Sequence, residues 1–161
     1  MSMMGNYISV TPDDVEKIKA DEGHVEELLD QSDGELALCI EKSWQAIHYV
    51  LNGDPWKGSG PLGNAVLGGR DVGEDMGYGP ARFLTPDEVS ETAKALDSIT
   101  VAKFTEMLSK VNFEAGEIYV FSGEDPNDPD IVEELGGYYG DVRTFFHDAA
   151  NGKRGMLLFL C

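Results

Sequence analysis

Apolar positions along the chain follow two rhythms, a short β-prone run and a helical stripe, and together they order most of the sequence. Tyr7 to Val10 is a brief β-prone run that leads into Thr11-Pro12-Asp13-Asp14. That tetrapeptide predicts a helix start. Thr11 can accept a hydrogen bond from the first turn, Pro12 suits the first helical position, and both aspartates complement the positive end of the helix dipole. Val25, Leu28 and Leu29 give a second short helix one apolar edge, with acids covering the rest.

The third helical pattern is the clearest. Ile40, Trp44, Ile47, His48 and Leu51 fall on one helical face. Ser32 and Glu35 have capping-box spacing ahead of it, and Gly53 stands where a left-handed residue ends a helix. Cys39, near the start of this helix, is expected to fill a helix–helix contact.

From Gly53 to Gly79, nine of twenty-seven residues are glycine, which predicts a long irregular connection. Leu62, Ala65, Val66 and Leu67 give it side chains to bury, so it reads as a packed loop rather than a flexible linker.

Beyond that loop, Arg82 to Leu84 predicts a strand running into a second capped helix. Here Thr85 and Glu88 have capping-box spacing, and Val89, Ala93 and Leu96 form the stripe. Val101, Phe104, Leu108 and Val111 mark a further helix. Ile118 to Phe121 predicts a strand, and Glu124 to Asp130 an acidic, proline-bearing turn. Val142, Phe145, Phe146 and Ala149 define a last helix ended by Asn151-Gly152, and Met156 to Leu160 reads as a buried closing strand.

The pattern therefore predicts an α+β fold. It has a small mixed or antiparallel sheet of about four strands packed with about five to six helices, in one domain over residues 1–161. The Thr-Pro-Asp-acid-Val sequence occurs after both Val10 and Leu84, and we read this as independent use of a good helix cap.

Composition narrows the functional classes. The 42% hydrophobic and 26% charged residues are ordinary for a globular chain, but the net charge of −18 is not. It disfavours direct binding to nucleic-acid backbones and anionic lipid, both themselves anionic. The charge is concentrated. Residues 13–35 hold ten acids against Lys17 and Lys19, and residues 114–134 hold eight acids with no Lys or Arg. An acidic surface of this kind points to a basic protein partner, as in an inhibitor or immunity protein.

No apolar run approaches the ~20 residues of a membrane-spanning helix, and Met1 to Val10 carries no Lys or Arg. A cytoplasmic location is expected. Cys39 and Cys161 are too few for a disulfide framework.

Several motifs fail on their chemistry. Gly58-Ser59-Gly60-Pro61-Leu62-Gly63 has dinucleotide-binding spacing, but it follows a helix rather than a strand, and Pro61 interrupts the turn. Gly63 to Gly68 has P-loop spacing, but Gly69-Arg70 stands where Lys-Ser or Lys-Thr is required. Asp125, Asn127, Asp128 and Asp130 lack the central glycine and distal glutamate of a calcium loop. His24, His48, His147, Cys39 and Cys161 have no paired zinc spacing. Neither a cofactor nor a bound metal is expected.

One constellation is left. His48 lies a turn from Trp44, just before the glycine-rich loop. It reads either as a neutral core histidine or as a general base in a pocket floored by Trp44 and rimmed by Pro61, Leu62, Gly68 and Gly69. Arg82 reads either as a salt-bridge partner of the many carboxylates or as the group that holds an anionic ligand. A small-molecule binder or enzyme at this pocket is the alternative to the basic-partner reading.

The same residues carry a family resemblance. Trp44, His48, Leu51 and Gly53 form one block; Pro61-Leu62 with Ala65 to Gly69 form a second; Gly79 to Arg82 with Leu84-Thr85 and Glu88-Val89 form a third. In this order they resemble the bacterial YfbM-like family over nearly the whole chain, most thinly in the two acidic segments. The resemblance implies a small α+β domain in a bacterial cytosol. It implies no activity and transfers no catalytic residue.

Overall fold

The computed structural model describes residues 2–30 and 36–161. Among these, five strands form one antiparallel sheet: β1 (Gly5–Val10), β2 (Ala37–Cys39), β3 (Arg70–Asp75), β4 (Pro80–Leu84) and β5 (Gly155–Leu160). Their spatial order is β2-β1-β5-β4-β3. The last strand in sequence is thus the middle one in space, pairing Leu157 with Ile8 of β1 and with Phe83 of β4. This explains its unbroken apolar run, since both of its faces are covered.

Helices cover both sides. On one side α1 (Pro12–Ala20) and α2 (His24–Leu29) bury Val15, Ile18, Val25 and Leu28 against Ile8, Val10, Phe83, Leu157 and Phe159. On the other lie α3 (Trp44–Asn52), the single turn α4 (Gly60–Gly63), α5 (Pro86–Asp97), α6 (Val101–Leu108) and α7 (Pro129–Asn151). Their apolar faces meet Tyr7, Leu84, Met156 and Leu158, the alternate residues of the same strands. Each fully buried large apolar side chain contributes roughly 1.5–3 kcal/mol.

The helix caps form as the sequence predicts. Thr11 Oγ1 accepts the Asp14 N–H at 3.2 Å. Thr85 Oγ1 accepts the Glu88 N–H at 3.2 Å while the Glu88 carboxylate accepts the Thr85 N–H at 3.0 Å, a complete capping box. Gly53 adopts φ 72°, as required of a left-handed helix stop.

The fold departs from the sequence expectations in four places. Ile118 to Phe121 is a turn, not a strand: Ile118 and Phe121 are both buried while Val120 is exposed at φ 57°. Strands β2 and β3 arise in stretches read as helix start and irregular loop. Cys39 therefore lies exposed on an edge strand rather than between helices, and α3 begins at Trp44 after a 3-10 turn over Glu41–Ser43. The proposed Ser32–Glu35 cap lies outside the described residues. The last helix extends back to Pro129, where the Asp128 carboxylate accepts the Asp130 N–H at 2.9 Å. Gly136, Gly137 and Gly140 lower its intrinsic propensity, and packing against α6 overrides them.

Candidate functional site

The glycine-rich connection is a fixed structure, held from three directions. Asp54 starts it by accepting the backbone N–H groups of Trp56 (2.9 Å) and Lys57 (2.8 Å). These bonds, that from Lys57 foremost, hold the Asp54 carboxyl below its usual range. The resulting turn carries the Lys57 carbonyl over the end of α3, 3.1 Å from His48 Nε2.

His48 is buried, at 1% exposure. Its other ring nitrogen, Nδ1, lies 3.3 Å from Asn52 Nδ2, which also donates to the Leu62 carbonyl at 3.1 Å. A carbonyl on one side and an amide donor on the other fix the Nε2–H tautomer. Burial also pushes the pKa of His48 down, so the ring is neutral near pH 7. The ring stitches the loop to α3, with a hydrogen-bond partner at each nitrogen.

Further along, Gly58 and Gly63 approach so closely that a Cβ on Gly63 would lie 2.7 Å from the Gly58 carbonyl carbon. Only glycine permits this approach. The carbonyls that follow are held by the sheet: Tyr7 donates its hydroxyl to Ala65 O at 2.6 Å, and Arg82 Nη1 donates to Val66 O (3.1 Å) and Gly68 O (3.3 Å). Burial raises the Tyr7 pKa far above its ordinary value, so the phenol stays a neutral donor.

Arg82 is half-buried, and desolvation lowers its pKa; a guanidinium nevertheless remains charged. Among the described residues it forms no ion pair with any carboxylate. Asp71, its cross-strand neighbour on β3, acts on it only beyond ion-pairing distance, and backbone carbonyls occupy Nη1 alone.

Two adjoining clefts open here. One, of about 350 Å³, is bordered by His48 and by Lys57, Gly58, Gly68 and Gly69 of the loop. The other, of about 250 Å³, is bordered by Arg82, Tyr78, Pro80 and Leu160. Trp56 and Leu67 belong to both.

The structure thus brings His48, Gly68, Gly69 and Arg82 to one surface. Pro61 and Leu62 sit behind it in α4. Trp44 lies a layer deeper, fully buried, donating its indole N–H to Met3 O at 3.0 Å and meeting Trp56 in a tilted ring contact with centroids 5.8 Å apart. Trp56, 61% exposed, borders both clefts where the sequence suggests a floor made by Trp44. Leu67 belongs to the loop that the sequence places at the rim, whereas Trp56 and Tyr78 are not legible as site residues. The one hint was a tryptophan with no apolar neighbours inside a polar, glycine-rich stretch.

Among the described residues, no cluster of three His, Cys, Asp or Glu side chains is arranged to hold a metal ion, and no helix is long and apolar enough to cross a membrane.

A family model described as a domain of unknown function (DUF1877) matches residues 1–159. Among solved structures, the chain is similar to YfbM from Escherichia coli, a protein of unknown function, at 18% identity and a TM-score of 0.70. The match covers 98% of this chain and 99% of that one, and at this identity it speaks to the fold alone. A search of curated proteins finds no match.

Proposed function

The chain belongs to the DUF1877 family of domains of unknown function, and from that premise we propose that it is a non-catalytic binding domain for a small aromatic anion, held in the cleft between the glycine-rich loop and β4. The observation that carries this reading is Arg82. In a chain of net charge −18, its half-buried guanidinium has no carboxylate partner among the described residues. The remaining guanidinium donors suit a carboxylate or phosphate oxygen, and Trp56 and Tyr78 line the same cleft, where a planar group can pack. His48 argues for binding rather than chemistry, because both of its nitrogens are engaged in fixing the loop.

The test is a fluorescence titration of Trp56 with benzoate, phenyl phosphate and neutral benzamide. Saturable quenching by an anion but not by benzamide is expected, and Arg82→Gln should weaken it about tenfold or more. Trp56→Phe reports whether the signal comes from the rim, since Trp44 is sealed. Equal binding of benzamide, or no saturation by either anion, refutes the reading.

A second reading is favoured by a different observation. All eight acids of residues 114–134 are exposed, and none takes part in an ion pair among the described residues. This suits a basic protein partner on that surface, as the sequence suggests.

A further inference from the structure

We propose a separate binding site between β1 and the C-terminal end of α7, one that takes a small zwitterion of the α-amino-acid type with an apolar side chain. It begins with Ser9. This residue is 4% exposed, and its Oγ is the one buried side-chain polar atom among the described residues with no hydrogen-bond partner. Buried hydroxyls are nearly always satisfied, so an unpaired one asks for an explanation. Its own backbone N–H is already used, donating to Leu36 O at 2.7 Å.

Ser9 borders a cleft of about 350 Å³, within the ~300–1,000 Å³ typical of small-ligand sites. Phe145 and Leu36 supply apolar walls, and Asp148, Asn151 and Arg154 supply polar ones. Asp148 and Arg154 carry opposite charges on the rim of one cleft. They form no ion pair with each other or with any other described residue.

The fold adds a direction. Asp148 stands in the last turn of α7, whereas the Arg154 guanidinium lies just beyond the helix, beside its capping residue Gly152. An ammonium group is therefore favoured beside Asp148, with a carboxylate towards Arg154. The Ser9 hydroxyl, both donor and acceptor, can serve either group. The site shares no residue with the Arg82 cleft and lies across β5 from it, so it does not depend on the function proposed there.

The experiment is an NMR titration of the full chain with L-leucine, leucinamide and 4-methylpentanoate. The latter two each lack one of the charges. L-leucine should give saturable shifts around Ser9 and Phe145, with an affinity about tenfold above either analogue. Ser9→Ala should leave the unliganded protein as stable as before, or slightly more so, because it removes an unsatisfied hydroxyl. It should nevertheless weaken L-leucine binding about tenfold. Arg154→Gln should bind L-leucine no better than leucinamide, and Asp148→Asn no better than 4-methylpentanoate. Absence of saturable shifts at this cleft with L-leucine overturns the proposal. So does Ser9→Ala that binds as tightly as the parent, which would mean that solvent alone serves the hydroxyl.

Discussion

At His48 a single ring joins the glycine-rich loop to α3, and its charge state decides whether they stay joined. Protonation would turn Nδ1 into a donor facing the Asn52 amide, also a donor, inside a buried site. The folded chain therefore resists the proton, and burial pushes the His48 pKa below the ordinary 6.5. The unfolded chain takes the proton near 6.5, so the stability from this group is full above that pH and is lost as pH falls towards the folded pKa. Thermal denaturation of the wild type should show a falling Tm as pH drops below about 6.5. His48→Gln keeps an amide donor for the Lys57 carbonyl and cannot titrate, so its Tm should change less over the same interval. Parallel pH profiles for the two proteins would remove His48 as the cause.

Between residues and elements, legibility depended on whether one local signal was strong enough alone. The two Thr-Pro-acid helix starts and the Gly53 stop were legible because a cap is chemistry confined to four residues. Part of the candidate site was legible too, through His48 at helical spacing, the glycines of the loop and Arg82, whereas Trp44 lies beneath it. The rest was not. Arg70–Asp75 is an edge strand of charged residues whose register shifts between Val72 and Asp75, so only Val72 is buried and no alternation is visible. Ile118 to Phe121 misled in the opposite sense: its β-branched and aromatic residues suit a strand, but tertiary contacts bury Ile118 and Phe121 on one side of a turn. There the Tyr119 N–H donates to the buried Gln45 amide at 2.7 Å. That turn forces Val120, 49% exposed, to φ 57°. A β-branched residue in left-handed backbone costs roughly 1–2 kcal/mol, and glycine adopts it freely. Val120→Gly should thus raise unfolding stability by about 1 kcal/mol in urea titrations, offset in part by greater unfolded-state entropy. A loss of that size would instead mean that the Val120 side chain is needed where it lies.

Over the whole molecule, the two acidic segments cease to be equivalent. Residues 13–30 lie on the α1–α2 side of the sheet, and residues 114–134 on the other, so one flat partner cannot cover both. They also differ in compensation. On the first side, Asp14, Glu16, Glu22 and Glu27 have partners in Lys17, Lys19, Arg70 and His24, and the His24 hydrogen bond holds Asp14 below its usual pKa. On the second, eight exposed acids form no ion pair among the described residues. A basic partner should therefore choose the second side, and the choice is measurable with a decalysine probe by calorimetry. Binding should weaken steeply as salt rises, because the Debye length falls from ~30 Å at 0.01 M to ~10 Å at 0.1 M. Neutralising Glu124, Asp125, Glu133 and Glu134 to their amides should abolish most of it. Neutralising Glu16, Glu22, Glu26 and Glu27 should change it less, since Glu16 and Glu22 already have a cation beside them and Glu27 has the His24 ring. Equal losses from the two sets would mean that the probe senses only net charge, and the surface of residues 114–134 would then have no claim to a partner of its own.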